Sequence, residues 1–112
     1  MTEVLQHPLF WSTKQKLDMV RRFGNHKRRQ KYRDKLRIKT PWVFDTNLLA
    51  DASNLSAYNR SNPVSLYRLV RNLDQHPEML AEGGVAKSLG TYLEKRYPNL
   101  AFEAWRVLRG EM

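Results

Sequence analysis

Residues 62–77 read NPVSLYRLVRNLDQHP. Asn62 is a good helix N-cap, because its side-chain oxygen can accept from an early backbone N–H. Pro63 follows at the first helical position, where a missing N–H costs nothing. Val64, Leu66, Leu69, Val70 and Leu73 then form one broad apolar face at helical spacing. Arg68 and Arg71 lie three apart on the shared polar side. Pro77 ends the run by His76, since the residue before a proline avoids helical angles. The stretch predicts an amphipathic helix whose last turns carry Arg71, Asn72 and His76.

The flanking sequence repeats this pattern. Ser12 is a suitable N-cap for a helix to about Phe23, with Leu17, Val20, Met19 and Phe23 facing inward and Gly24-Asn25 as its stop. Thr2 to Gln6 reads as the end of a further helix, closed by His7-Pro8. His26 to Ile38 is basic, with Tyr32 and Leu36 on one side, joined by Arg29 or Arg33. It fits either a weakly anchored helix or a loop, ended by Thr40-Pro41. Trp42, Phe44, Leu48 and Leu49 form an apolar cluster, with a helix start at Asp45 or Thr46. After Gly83-Gly84, Val85–Tyr97 and Leu100–Leu108 read as two more helices, parted by Pro98 and Asn99. No stretch alternates as a strand would. The expectation is a small all-α fold of about five to seven helices, one domain spanning residues 1–112.

A chain of 112 residues buries roughly two thirds of the surface its unfolded form exposes. The absence of cysteine excludes disulfides, thiolate–zinc sites and thiol catalysis. No apolar run approaches the ~18 residues of a membrane span, and the N-terminus lacks the pattern of a secretion signal. Between Arg21 and Lys39 stand ten Lys/Arg and one acid, Asp34, which accounts for the whole net charge of +9. So local a field suits a polyanion. It promises affinity and salt dependence rather than catalysis. A solvated basic helix or a nuclear import signal would carry the same run.

Phosphate-loop, dinucleotide and zinc-protease motifs are missing, and so are a nucleophile elbow and the clustered carboxylates of a two-metal nuclease. Metal-free RNA cleavage needs less. A base takes the 2′-hydroxyl proton, an acid protonates the departing 5′-oxygen, and cationic or amide donors hold the phosphoryl oxygens. Tyr58, Arg71, Asn72 and His76 supply that set. Histidine suits acid–base work near neutrality, whereas tyrosine serves as a base only where cations such as Arg60 or Arg71 favour its phenolate. On spacing alone, the same four residues also fit a helix-terminal histidine, two solvated polar residues and a packed tyrosine.

Four motifs in order resemble the KEN (kinase-extension nuclease) domain, the ribonuclease of RNase L and of the unfolded-protein-response sensor kinase. VLQHPLFW (4–11) is similar to that family's kinase–nuclease junction. KLDMV (16–20) resembles its first helix, PVSLYRLVRN (63–72) its SVxDLLRxxRN helix, and LGTYLEKRYPNL (89–100) its aromatic helix ending in Phe-Pro-x-Leu, with Tyr97 in place of Phe. The resemblance covers nearly the whole chain. It implies an all-α endoribonuclease that needs neither metal nor cofactor and leaves a 2′,3′-cyclic phosphate. Tyr58 falls on the base, His76 on the acid, and Arg71 and Asn72 on the phosphate-binding pair.

The basic run, with Arg60 and Arg68 beside the candidate catalytic set, points to RNA contacts from Arg28, Arg29, Lys31, Arg60 and Arg68. The resemblance also implies a face-to-face homodimer or pairing with a full-length family member. The expected compartment is the cytoplasm, the nucleus, or the cytosolic face of the endoplasmic reticulum if the chain belongs to a longer sensor kinase. The alternative is a catalytically silent RNA-binding or regulatory module; a helical DNA-binding protein fits less well. The sequence departs from the family at three points. The aspartate within SVxDLLR becomes Leu66 or Tyr67, the segment before Trp42 is far more basic, and no kinase motif is present. Leu5, Leu9, Phe10 and Trp11, which would pack on a kinase, need another cover.

Overall fold

The computed structural model describes residues 11–80 and 85–109. Four α-helices carry the described fold: α1 (Thr13–Asn25), α2 (Pro63–Gln75), α3 (Val85–Arg96) and α4 (Leu100–Arg109). Short 3₁₀ helices at Arg29–Lys35, Thr46–Leu48, Ala52–Ala57 and Pro77–Met79 fill the connections. Among the described residues there is no strand, only an isolated antiparallel bridge between Leu49 and Leu80. The domain is all-α, as the periodicity predicts. The segment before Trp11, including Leu5, Leu9 and Phe10, lies outside the described residues, as do Gly83 and Gly84. Trp11 itself is half-buried against the core.

α2 is the centre of the fold. It begins where the sequence places it: the Asn62 side chain accepts from Val64 N at 3.0 Å, with Pro63 in the first turn. Val64, Leu66, Leu69, Val70 and Leu73 are buried, each contributing roughly 1.5–3 kcal/mol. Tyr67 joins them at 0% exposure, because its hydroxyl donates to Leu100 O at 2.7 Å and so ties α2 to the start of α4. Leu66 and Tyr67 are therefore both core residues. Burial first, then the Glu103 charge, pushes the Tyr67 hydroxyl well above its ordinary pKa.

α1 opens with a reciprocal capping box: Gln15 N donates to Ser12 Oγ at 3.2 Å, and Ser12 N donates to Gln15 Oε1 at 2.8 Å. Val20 and Phe23 are buried, and the Phe23 ring lies 4.5 Å from that of Tyr67. The helix runs on through Gly24 and Asn25, and His26 leaves it in an extended conformation. Gly24-Asn25 is therefore not a left-handed stop. Gly24 serves close approach instead: a Cβ there would sit 2.7 Å from both Arg71 Cβ and Tyr67 O.

The basic segment forms a 3₁₀ helix rather than an α-helix. Tyr32 and Leu36 are buried, Arg29 is half-buried and Arg33 is exposed. With two apolar anchors it holds partly through a polar clamp: Arg37 N donates to Glu103 Oε1 at 2.8 Å, and Arg106 bonds both Glu103 and Lys35 O. Burial pushes the Glu103 carboxyl up, but the bonds from Arg106 and Arg37 N outweigh it and leave the carboxyl below its ordinary pKa. The expected helix after Trp42 is reduced to 3₁₀ turns. Its start is pinned by Val43 N to Tyr97 Oη at 2.7 Å and Asp45 N to Tyr92 Oη at 3.0 Å, bonds that hold the backbone extended.

Candidate functional site

Tyr58 ends the Ala52–Ala57 3₁₀ helix, its backbone N–H donating to Leu55 O at 3.0 Å. Asp51 caps that helix's other end by accepting from Ser53 N and Ser53 Oγ, and the two bonds hold its carboxyl below its ordinary pKa. The Tyr58 ring is half-buried against the core. Its oxygen therefore stands at a fixed place beside the last turns of α2.

Three of the four candidate catalytic residues meet there. Asn72 Nδ2 donates to Tyr58 Oη at 2.6 Å, Arg71 Nη1 donates to Asn72 Oδ1 at 2.9 Å, and Arg71 Nε donates to Asn25 Oδ1 at 2.6 Å. The series fixes the Asn72 amide, with its oxygen on the guanidinium and its nitrogen on the phenol. Arg71 and Asn72 are both half-buried.

Two further arginines border this series. Arg68 Nη1 donates to Gly24 O at 3.0 Å, and Arg29 Nη1 donates to His26 O at 3.1 Å. Burial first, then the charges of Arg29 and Arg71, pull the Arg68 guanidinium below its ordinary pKa, with the nearby Tyr58 acting the other way. Among the described residues no carboxylate pairs with Arg29, Arg68 or Arg71. Arg29 Nε is buried with no hydrogen-bond partner there.

His76 stands apart from the series. It caps α2 through its backbone, donating to Asn72 O at 2.8 Å, while its side chain is 55% exposed and its Nδ1 lies 3.3 Å from Glu78 Oε1. No hydrogen bond links the imidazole to Tyr58, Arg71 or Asn72. Arg28, Lys31 and Arg60 are exposed. Arg60 contributes its carbonyl to Trp42 N at 2.9 Å. Among the described residues no three His, Asp or Glu side chains gather within reach of one metal ion, and no helix is long and apolar enough to cross a membrane.

Sequence reading missed Gly24, Asn25 and His26 as parts of this site. They lie more than forty positions from Arg68 and Arg71, and Gly-Asn at a helix end is the ordinary signature of a stop. Comparison of the chain with protein-family models, with curated proteins and with solved structures returned no match.

Proposed function

We propose that the chain is a KEN-type endoribonuclease that works without a metal ion. The RNA 2′-oxygen bonds to the adjacent phosphorus as the bond from phosphorus to the 5′-oxygen breaks, leaving a 2′,3′-cyclic phosphate. Tyr58 takes the 2′-proton and His76 returns one to the departing 5′-oxygen. Arg71 and Asn72 hold the phosphoryl oxygens as charge builds on them. The observation that carries this reading is the hydrogen-bonded series Arg71–Asn72–Tyr58, set in a group of arginines with which no carboxylate pairs among the described residues. RNA is the partner, and a second copy or a full-length relative completes the active form. The cytoplasm, the nucleus or the cytosolic face of the endoplasmic reticulum is the compartment.

The test is a stem-loop RNA incubated with the protein in EDTA over a range of protein concentrations. Cleavage to cyclic-phosphate ends, rising steeply with protein concentration and lost in Tyr58→Phe, Asn72→Ala and His76→Ala, is the expected result. Activity that needs a divalent ion, or that His76→Ala leaves unchanged, refutes the assigned mechanism.

One observation favours a second reading, a binding module without turnover: the exposed His76 imidazole faces Glu78 rather than the series. Such a module binds RNA with a steep salt dependence, makes no product and ignores His76→Ala.

A further inference from the structure

Arg29 and Arg68 are held in an unusual way. Each guanidinium is tied at Nη1 to a main-chain carbonyl from the end of α1, His26 O for Arg29 and Gly24 O for Arg68. An arginine carries five N–H donors in a rigid fork, so one anchor fixes the plane and leaves most of the fork for a ligand. Arg29 Nε is buried and unpaired among the described residues, an arrangement that costs free energy and that a small shift of the half-buried side chain toward an acceptor would relieve. Both side chains are half-buried, and Arg68 lies within electrostatic reach of Arg29, Arg71 and Tyr58. Like charges gathered with no carboxylate resist folding and reward an anion. Arg71 is already turned toward Asn25 and Asn72, so the open donors of Arg29 and Arg68 form a place of their own.

We infer that Arg29 and Arg68 form a second phosphate seat, taking an uncut phosphodiester of the RNA strand while Arg71 and Asn72 hold the one that is cut. The inference rests on the endoribonuclease reading for the identity of the strand. Planar forks suit phosphate oxygens two at a time, which a lysine at either position does not reproduce. The seat would fix which way the strand lies across Tyr58.

The test separates binding from cleavage. Titration calorimetry compares a nucleoside 3′,5′-bisphosphate, the matching 3′-monophosphate and inorganic phosphate on the wild type, Arg29→Ala, Arg68→Lys and Tyr58→Phe, with circular dichroism confirming each fold. The wild type should prefer the bisphosphate to the monophosphate by about tenfold, the worth of one charged hydrogen-bonded contact. Arg29→Ala and Arg68→Lys should erase that preference, and Tyr58→Phe should keep it. A preference that survives in both arginine variants overturns the seat, even if the wild type cuts RNA. Inorganic phosphate binding as tightly as the bisphosphate shows a free-anion site and overturns the assignment to a strand. If the preference behaves as expected and no RNA is cut, the seat stands and the cleavage reading falls.

Discussion

Gly24→Ala sets two effects against each other, and the structure says which one wins. In an open helix alanine is better than glycine by about 1 kcal/mol, and less at a helix end. Against this, the new Cβ would meet Arg71 Cβ and Tyr67 O, both at 2.7 Å. Both distances fall short of ordinary contact by about 0.7 Å. Neither atom is the free end of a side chain. One is a carbonyl oxygen of α2 and the other the root of Arg71, so relief requires α1 and α2 to part. Overpacking of this kind costs about 1–3 kcal/mol, and a net loss of about 1–2 kcal/mol remains. In a domain of this size each kcal/mol corresponds to roughly 4–8 °C in Tm. The movement also pulls Asn25 off Arg71 and Gly24 O off Arg68, so on the proposed function RNA affinity should fall in protein that is still folded. Urea unfolding and fluorescence anisotropy with a labelled single-stranded RNA read the two consequences separately. A variant as stable as the wild type would refute the close approach assigned to Gly24, and so the way α1 positions the arginines.

Gly90→Ala should behave oppositely. Its new Cβ meets Thr13 Cγ2 at 2.6 Å, but Thr13 is exposed and can turn its methyl away. The helix gain of up to about 1 kcal/mol should survive, and a thermal melt checks it. Glu103→Gln should cost about 1.5–3 kcal/mol at neutral pH, the worth of bonds to a charged group. The folded Glu103 carboxyl is held below its unfolded value of about 4.3, so its contribution is complete above that pH and is lost as pH falls through the folded value. The gap between wild type and variant in urea midpoint should therefore close on acidification; a gap constant with pH refutes the assignment. Asn25→Asp should give Arg71 an ion pair but set a negative charge against the end of the α1 dipole, so Tm should change little, while on the proposed function RNA binding at low salt weakens several-fold because one charge of the group is cancelled. Equal or tighter RNA binding would count against the electrostatic role.

Sequence alone disclosed those parts of the fold that local chemistry decides. Asn62 and Pro63 mark the start of α2, and Ser12 marks that of α1, because caps are made within three residues. Tertiary packing decided the rest. Gly24 carries the signature of a helix stop, yet the nearness of Tyr67 and Arg71 gives it another task. Tyr67 is buried because a carbonyl thirty-three positions away accepts its hydroxyl. Glu103, a charged residue in a helix that reads as amphipathic, is 4% exposed because Arg37 and Arg106 reach it. In the candidate site, a half-buried Tyr58 bonded to Asn72 fits both readings that the sequence offered, a packed tyrosine and a member of a phosphate-binding set. The placing of His76 on Glu78 could not be read, since the turn after α2 sets it rather than the helix itself.

The end of α1 explains how so much positive charge is tolerated. The last carbonyls of a helix lack intrahelical partners, and the helix dipole places partial negative charge there. Gly24 O takes Arg68, the Asn25 side chain takes Arg71, and His26 O takes Arg29. Three consecutive residues thus hold three guanidiniums with neutral oxygens, where carboxylates would hold them more firmly and also cancel them. The dipole itself disfavours a carboxylate at this point, and the one that α1 carries about two turns earlier, Asp18, pairs with Arg21 instead. Asp74 on α2 likewise pairs with Arg21 and leaves Arg71 alone. Acids are thus at hand on both helices and are engaged outside the group, so the charge on Arg29, Arg68 and Arg71 stays available to an anion that arrives from outside. Dipole and carbonyls keep the arginines in place, and on the proposed function a polyanion would complete their hydrogen bonding.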